Sequence, residues 1–230
     1  MGNKIRAGVL ASGGKDSLYA LYVASQNPDI DVTCMMTALP ERKDSYMFHH
    51  PNAQLTSLQA EAMDIPLITK KTPGVKEEEL FDLKAMIESA DVDAVITGAL
   101  ASEYQRKRIE DICGGLGLNC ISPLWARDPM ELWEEELALG FEIIVTSVSA
   151  EGLDEKWLGR QVDRGTLEEL SALSKKHRFH AGFEGGEAET FVLDMPLFKK
   201  KIKVLEASVE WDGVRGVYSI QKAKLIQKRD

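Results

Sequence analysis

Apolar and polar positions alternate with two different periods along the first half of the chain. Short apolar runs typical of buried strands are separated by segments whose apolar residues recur at helical spacing. The strands are predicted at 5–11, 30–39, 65–69, 94–100 and 119–122, and the helices at 15–26, 51–63, 77–89 and 102–115. Strands that alternate with helices of about 10 to 15 residues are typical of a parallel sheet with helices on both faces.

The second half begins with one more unit of the same kind. Asp128 precedes a proline and is followed three residues later by Glu131, which predicts the N-terminus of a helix that ends at Gly140. A strand is predicted at 143–149. Thr166 and Glu169 form a similar pair and predict the start of a further helix.

The pattern then changes to longer strands. A strand is predicted at 190–193, and the dipeptide Asp212-Gly213 between 202–211 and 214–226 predicts a two-residue hairpin. We therefore predict an α/β domain at 1–123 and a smaller mixed α+β region at 124–230, with substrate binding assigned to the second.

Composition and charge narrow the functional classes. The net charge of −9 disfavours a protein that wraps nucleic acid, because phosphate binding needs a dense basic face. No apolar run reaches the roughly 18 residues of a membrane span, and no signal peptide is recognised. Cys34, Cys113 and Cys120 form no CxxC pair, so we expect core packing for them and a cytoplasmic location for the protein.

The strongest local signal lies between the first predicted strand and the first predicted helix. It consists of Ser12, Gly13, Gly14, Lys15, Asp16 and Ser17. Adjacent glycines allow close approach to a phosphate, and a helix N-terminus offers unpaired N–H groups. Lys15 adds a positive charge, and Asp16 is suited to hold a magnesium ion that bridges phosphates. The segment matches neither GxxxxGK(S/T) nor GxGxxG, and a simple tight turn with a helix N-terminus is the alternative.

These six residues resemble the pyrophosphate loop, SGGxDS, of the N-type ATP pyrophosphatases. That superfamily has the adenine nucleotide alpha hydrolase-like (HUP) fold and includes the GMP, asparagine, argininosuccinate and NAD synthetases. Its members cleave ATP between the α and β phosphates and leave an adenylated substrate. The resemblance therefore implies ATP and Mg²⁺ as the ligands of this loop.

Further segments resemble the diphthine–ammonia ligase family over essentially the whole chain. They are YMFHHPN at 46–52, GALASEYQR at 98–106, EGLD at 151–154, WLGR at 157–160 and GGEAETFVLD at 185–194. The family more often has Asp at the position of Glu103 and Tyr at that of Ala188. Because eukaryotic relatives carry extra C-terminal domains that this sequence lacks, the resemblance implies the short archaeal form.

The resemblance implies amidation of diphthine on translation elongation factor two with ATP and ammonium, giving diphthamide, AMP and pyrophosphate. No nucleic acid or membrane is expected as a partner, and the sequence leaves the oligomeric state open, a homodimer included. Besides the loop, the predicted nucleotide contacts are Met36 and Gly98, and the predicted substrate contacts are His49, Tyr104, Gln105, Arg106 and Thr190. Gln105 could equally complete a helix cap with Ser102, and Gly98 could simply relieve crowding.

Lys15, Glu187 and Glu189 are the predicted catalytic residues. Glu187 and Glu189 share one face if the strand has begun, so both could point into one cleft and accept a proton from the attacking amine. The alternative is that both glutamates lie in a solvated loop before the strand. The sequence does not identify the general base among Glu187, Glu189 and a histidine, because that depends on their positions in the folded protein. The rival functions are a tRNA thiolase, amidation of another carboxylate, and a nucleotide sensor without turnover.

Overall fold

Five parallel strands form the sheet of the first half, as the alternating pattern predicts. The computed structural model describes residues 3–40, 52–73 and 78–228. The strands are β1 (Ile5–Leu10), β2 (Ile30–Pro40), β3 (Leu67–Thr72), β4 (Ala94–Ile96) and β5 (Asn119–Ile121). Their order is β3-β2-β1-β4-β5, and each neighbouring pair is parallel.

Helices cover both faces of this sheet. They are α1 (Lys15–Ser25), α2 (Thr56–Met63), α3 (Glu78–Glu88) and α4 (Glu103–Leu116). Successive residues of a strand point to opposite faces, so Met35 packs in the core that contains α1 and α2, whereas Cys34 and Met36 pack with α3 and α4. The predicted fold class is confirmed by this arrangement.

A second, antiparallel sheet occupies the rest of the chain. It contains β6 (Glu142–Val148), β7 (Ala188–Asp194), β8 (Lys200–Trp211) and β9 (Gly216–Gln227), in the order β7-β6-β9-β8. Two helices, α5 (Pro129–Ala138) and α6 (Arg164–His177), accompany it. The two sheets lie on either side of residue 124, and the domain division at that residue stays a prediction.

The two halves share one hydrophobic core. Leu18 and Tyr19 of α1 belong to the same buried cluster as Phe141 and Phe191 of the second half. The rings of Tyr19 and Phe141 meet edge to face with their centroids 5.8 Å apart. The orientation of the second sheet therefore depends on packing against α1.

Several predicted boundaries are wrong for local reasons. The hairpin between β8 and β9 has four loop residues, since Trp211 pairs with Gly216 and the Asp212 carboxylate accepts from the N–H groups of Val214 and Arg215. The N-cap of α6 is Asp163 rather than Thr166, because the carboxylate of Asp163 accepts from the N–H of Thr166.

The predicted helix at 51–63 begins differently. A 3₁₀ turn at Ala53–Leu55 precedes α2, and Asn52 before it has a φ of 72°. Strand β4 stops at Ile96, so the predicted strand to residue 100 is also too long. In the described ranges, no helix combines the length and apolar character that crossing a membrane requires.

Asn52 connects the two halves through its side chain. Its amide donates to the carbonyl of Tyr218 at 3.0 Å, and its carbonyl oxygen accepts from the N–H of Ile220 at 2.6 Å. Both partners lie on β9, and Asn52 is buried.

We predict that Asn52→Ala lowers the free energy of unfolding by about 1 to 3 kcal/mol, because two buried backbone groups lose their partner. Asn52→Asp keeps the acceptor for Ile220 but turns a carboxylate toward the carbonyl of Tyr218 in a buried position, so it should lose at least as much. Urea denaturation followed by circular dichroism measures both variants, and equal stability of Asn52→Ala and the wild type would contradict the role.

Candidate active site

A cleft of about 700 Å³ opens where the carboxyl ends of the parallel strands face the second sheet. In open parallel sheets this edge is where ligands bind. The first half contributes β2, the segments after β1 and β4, α3 and the N-terminal part of α4. The second half contributes 147–149, 182–186, 188–190 and 215–217. The volume lies in the range of small-molecule sites.

The phosphate loop lies at one wall of this cleft. Gly13 has a φ of +90°, a backbone conformation that other residues rarely adopt. A Cβ atom there would also lie 2.9 Å from the ring of Phe191, so both backbone conformation and packing require glycine. The carbonyl of Gly13 accepts from the side-chain amide of Gln59 at 3.0 Å and from the N–H of Val192 at 3.0 Å. Elements distant in sequence thus hold the loop.

Thr190 also fastens the loop. Its hydroxyl accepts from the N–H of Lys15 at 3.1 Å, and the residue lines the cleft. The sequence predicts a substrate contact here, and the structure adds a direct contact to the backbone of the loop.

Gly98 follows β4 and also lines the cleft. A Cβ atom at this position would lie 2.6 Å from backbone atoms of Asp16 and Ser17. The close packing of the two segments therefore requires glycine, as the crowding alternative expects. Met36 lines the cleft from β2.

Lys15 is 1% exposed although it borders the cleft. Its Nζ donates to Oδ1 of Asp16 at 2.5 Å and lies 4.6 Å from the ring centroid of Trp133 on α5. Burial by itself lowers the pKa of Lys15, but the carboxylates of Asp16, Glu136 and Glu184 outweigh it and raise this pKa above its ordinary value. The side chain therefore carries a positive charge at neutral pH.

Carboxylates surround this lysine. Burial raises the pKa of Asp16, opposed by Lys15 and assisted by Glu184 and Glu189. Glu184 and Glu189 both line the cleft. Apart from Lys15, the charges that act on Asp16 are thus negative, and this arrangement favours the binding of a cation beside it.

Glu184 has a structural contact as well. Its carboxylate accepts from the N–H groups of Ala101 and Ser102 at 3.0 and 3.1 Å, at the N-terminus of α4. The hydroxyl of Ser102 accepts from the N–H of Gln105, which confirms the hydroxyl half of the expected cap.

Glu187 differs from Glu189 in its environment. Its carboxylate accepts from the N–H groups of His180 and Gly185 at 3.0 and 2.8 Å, so it stabilises the segment that precedes β7. It is not among the residues that line the cleft, whereas Glu189 is.

Of the remaining predicted substrate contacts, some line the cleft and one has other partners. Tyr104 and Gln105 line the cleft. Arg106 instead donates to Glu110 at 2.6 Å and lies over the ring of Trp125 at 4.4 Å. His49 lies outside the described residues.

Four residues that act on the phosphate loop or on Lys15 were not predicted from the sequence: Gln59, Trp133, Glu136 and Glu184. Glu136 had a signal, because it recurs at the buried positions of α5 with Leu132 and Trp133. It is 0% exposed, and neither carboxyl oxygen has a hydrogen-bond partner among the described residues. Burial raises the pKa of Glu136 to about 8 against the attraction of Lys15, with Asp16 and Glu135 assisting burial.

We predict that Glu136→Gln gains stability relative to the wild type as pH rises from about 5 to about 8. The folded protein holds a proton on Glu136 that the unfolded chain releases near pH 4.5, so only the wild type loses stability in this window. The difference grows by at most about 1.4 kcal/mol per pH unit. Thermal unfolding across this range measures it.

Glu134→Gln is the matched control, since Glu134 lies exposed on the same helix. A difference between Glu136→Gln and the wild type that stays constant with pH would contradict the prediction.

Two family models match the chain. One is described as the diphthamide synthase N-terminal domain and matches residues 5–120, and the other as the diphthamide synthase C-terminal domain and matches residues 128–226.

Curated proteins similar to the chain carry the name diphthine–ammonia ligase. The protein from Bos taurus is 36% identical, with 89% of this chain and 85% of that protein covered. The protein from Homo sapiens is 35% identical with the same coverage, and that from Schizosaccharomyces pombe is 35% identical, with 87% of this chain and 36% of that protein covered. Eukaryotic relatives are thus both short and long, so length does not indicate an archaeal source.

A solved structure described as a predicted subunit of a tRNA methyltransferase from Methanocaldococcus jannaschii is also similar. It covers 83% of this chain and 99% of its own, with 13% identity and a TM-score of 0.42. This likeness is too low to carry an argument.

Proposed function

The chain belongs to the diphthamide synthase family and is a ligase, and from that premise we propose that it amidates diphthine on translation elongation factor two. The substrates are ATP, ammonium and the diphthine carboxylate, and the products are diphthamide, AMP and pyrophosphate. The observation that carries the proposal is the buried, protonated Lys15 in a glycine loop at the edge of the cleft. We further propose that this occurs in the cytoplasm.

The cleft suits ATP in shape and chemistry. The phosphate loop and the N-terminus of α1 offer charge and N–H groups for phosphates. Apolar side chains of Leu10, Met36, Met86 and Ile109 line the part contributed by the first half and suit an adenine ring. The side with Ser149, Gly186 and Arg215 is then left for the diphthine residue.

Asp16 is the residue that would hold magnesium. The carboxylates of Glu184 and Glu189 act on Asp16 and disfavour its charge, and a divalent cation would oppose that effect. When bound, magnesium neutralises charge on the phosphates.

Activation of the carboxylate is the first proposed step. A carboxylate oxygen attacks the α-phosphorus of ATP, the bond to the bridging oxygen breaks, and pyrophosphate leaves. Lys15 stabilises the negative charge that develops on this leaving group, because its ammonium is held in place before the reaction. The product is an acyl-adenylate.

Amide formation is the second step. Ammonia attacks the acyl carbon, AMP leaves, and the nitrogen loses a proton. We assign Glu189 as the acceptor of that proton, because it lines the cleft, whereas the Glu187 carboxylate binds two backbone N–H groups. The three cysteines are not among the cleft residues, which favours a ligase over a thiolase.

We predict that Lys15→Ala lowers the rate of AMP formation by about 100-fold or more, the effect of removing one stabilising group from a developing anion. The purified protein is mixed with ATP, magnesium, ammonium and diphthine-bearing elongation factor two, and AMP and the mass of the factor are measured. Conversion of carboxylate to amide lowers the mass of the factor, because NH₂ replaces OH.

Two outcomes contradict parts of this proposal. AMP without a change in the factor means that another carboxylate is the substrate. Binding of ATP without AMP means that the protein is a nucleotide sensor. Lys199→Ala, far from the loop in sequence and paired with Asp64, is the matched lysine control and should retain activity.

We predict that Glu189→Gln slows amide formation by about 100-fold, the usual range for loss of a general base, and leaves pyrophosphate release without ammonium nearly unchanged. Glu187→Gln should reduce stability more than the rate of the amine step, because its carboxylate accepts two backbone hydrogen bonds. Single-turnover measurements with and without ammonium separate the two steps. A larger loss of the amine step in Glu187→Gln would reverse the assignment.

A further inference from the structure

Glu136 is a buried carboxyl group that the proposed reaction does not use. It is fully buried on α5, and both of its side-chain oxygens lack a hydrogen-bond partner among the described residues. A buried carboxyl without partners is costly and needs an explanation. Its position beside the phosphate loop suggests one.

Helix α5 presents Glu136 and Trp133 on one face, because residues three apart lie one turn from each other. The ring of Trp133 lies 4.6 Å from Nζ of Lys15. The indole N–H of Trp133 already donates to the carbonyl of Ala181 at 3.0 Å, so it does not serve Glu136.

The charged groups that act on Glu136 are few. Lys15 and Asp16 act on it from the start of α1, and Glu135 acts from its own helix. Glu135 has its own partners, since it accepts from the hydroxyl of Tyr19 and from the guanidinium of Arg127.

The other neighbours of α5 add no charge that acts on Glu136. The buried residues of α6, which packs on α5, are Thr166, Leu167 and Leu170 and are not ionisable. Among the described residues, Lys15 is therefore the cation that attracts an ionised Glu136.

We propose that Glu136 is a positioning residue for Lys15: protonated, it leaves the ammonium group to the phosphates of the nucleotide, and ionised, it competes with them for that group. The argument rests on the proposed function only in naming the nucleotide. Asp16 is the present hydrogen-bond partner of Lys15, and a cation held by Asp16 would weaken that bond. Lys15 would then be available to the phosphates, and Glu136, one helical turn from the ring that contacts Lys15, would be the carboxyl that competes for it.

The consequence is a pH dependence of nucleotide affinity. The pKa of Glu136 is raised to about 8 by burial, so the carboxyl changes from mostly neutral to mostly ionised between pH 7 and pH 9. If only the neutral form binds well, the competent fraction falls about tenfold over this range, and the apparent Kd for ATP rises by the same factor.

The first measurement follows Lys15 without any nucleotide. The protein is labelled with ¹³Cε-lysine, and the Lys15 resonance, assigned through Lys15→Arg, is recorded by NMR from pH 6 to pH 10. We expect it to shift with a midpoint near pH 8 in the wild type and in the exposed control Glu134→Gln. In Glu136→Gln this step should be absent.

The second measurement is the Kd for ATP with magnesium at pH 7 and pH 9, by calorimetry. We expect a rise of about tenfold in the wild type and in Glu134→Gln, and a change of less than about twofold in Glu136→Gln.

The two measurements separate the failures. If the Lys15 resonance of Glu136→Gln keeps the wild-type step, the role of Glu136 is overturned. If the step disappears but Glu136→Gln keeps the tenfold rise in Kd, competition with phosphates is overturned. If no variant binds ATP, the proposed function fails, and the competition with phosphates fails with it, while the resonance still decides whether Glu136 acts on Lys15.

Discussion

The carbonyl oxygen of Gly13 accepts two hydrogen bonds, from Gln59 of α2 and from the N–H of Val192 of β7. Because Gln59 also donates to the carbonyl of Val192, one buried side chain joins the loop after the first strand to the second sheet. The wall of the cleft formed by 182–190 is held against the phosphate loop by this connection. Of the carboxylates that act on Lys15, Glu184 is the one whose segment this connection holds.

Burial of Lys15 is the second constraint. An ammonium group taken out of water is stable only with compensating charge and contacts, and Asp16, Glu184 and the ring of Trp133 supply them at neutral pH. These residues come from α1, from α5 and from the segment before β7. The lysine is thus held in place before any phosphate arrives, which is the condition for stabilising a leaving group without reorganisation.

The second half of the chain does more than cover the sheet. Glu184 binds the N-terminus of α4, Glu187 binds the backbone near β7, and Glu189 lines the cleft. Three glutamates within six residues therefore have three different environments. The difference between Glu184 and Glu187 follows from which backbone N–H groups lie within reach of each carboxylate.

Local sequence patterns were enough to predict the parallel sheet, its helices and the place of the phosphate loop. These follow from signals that act over a few residues: the periods of strand and helix, the cap at Asp128, and the two glycines before Lys15. The residues at 12–17 and the segments near 98 and 185 also carried the family resemblance. Boundaries failed where a local competitor was present, as with Asp163 for Thr166.

Which side chains meet in the cleft depends on contacts between segments that are distant in sequence. The strand period placed Glu187 and Glu189 on one face, yet the Glu187 carboxylate accepts from the N–H groups of His180 and Gly185, and only Glu189 of the two lines the cleft. Gln59, Trp133 and Glu136 lie 44 to 121 residues from Lys15 along the chain, as their numbers show. No local pattern encodes such meetings, because they depend on how two sheets pack around one core and on the charges that this packing buries.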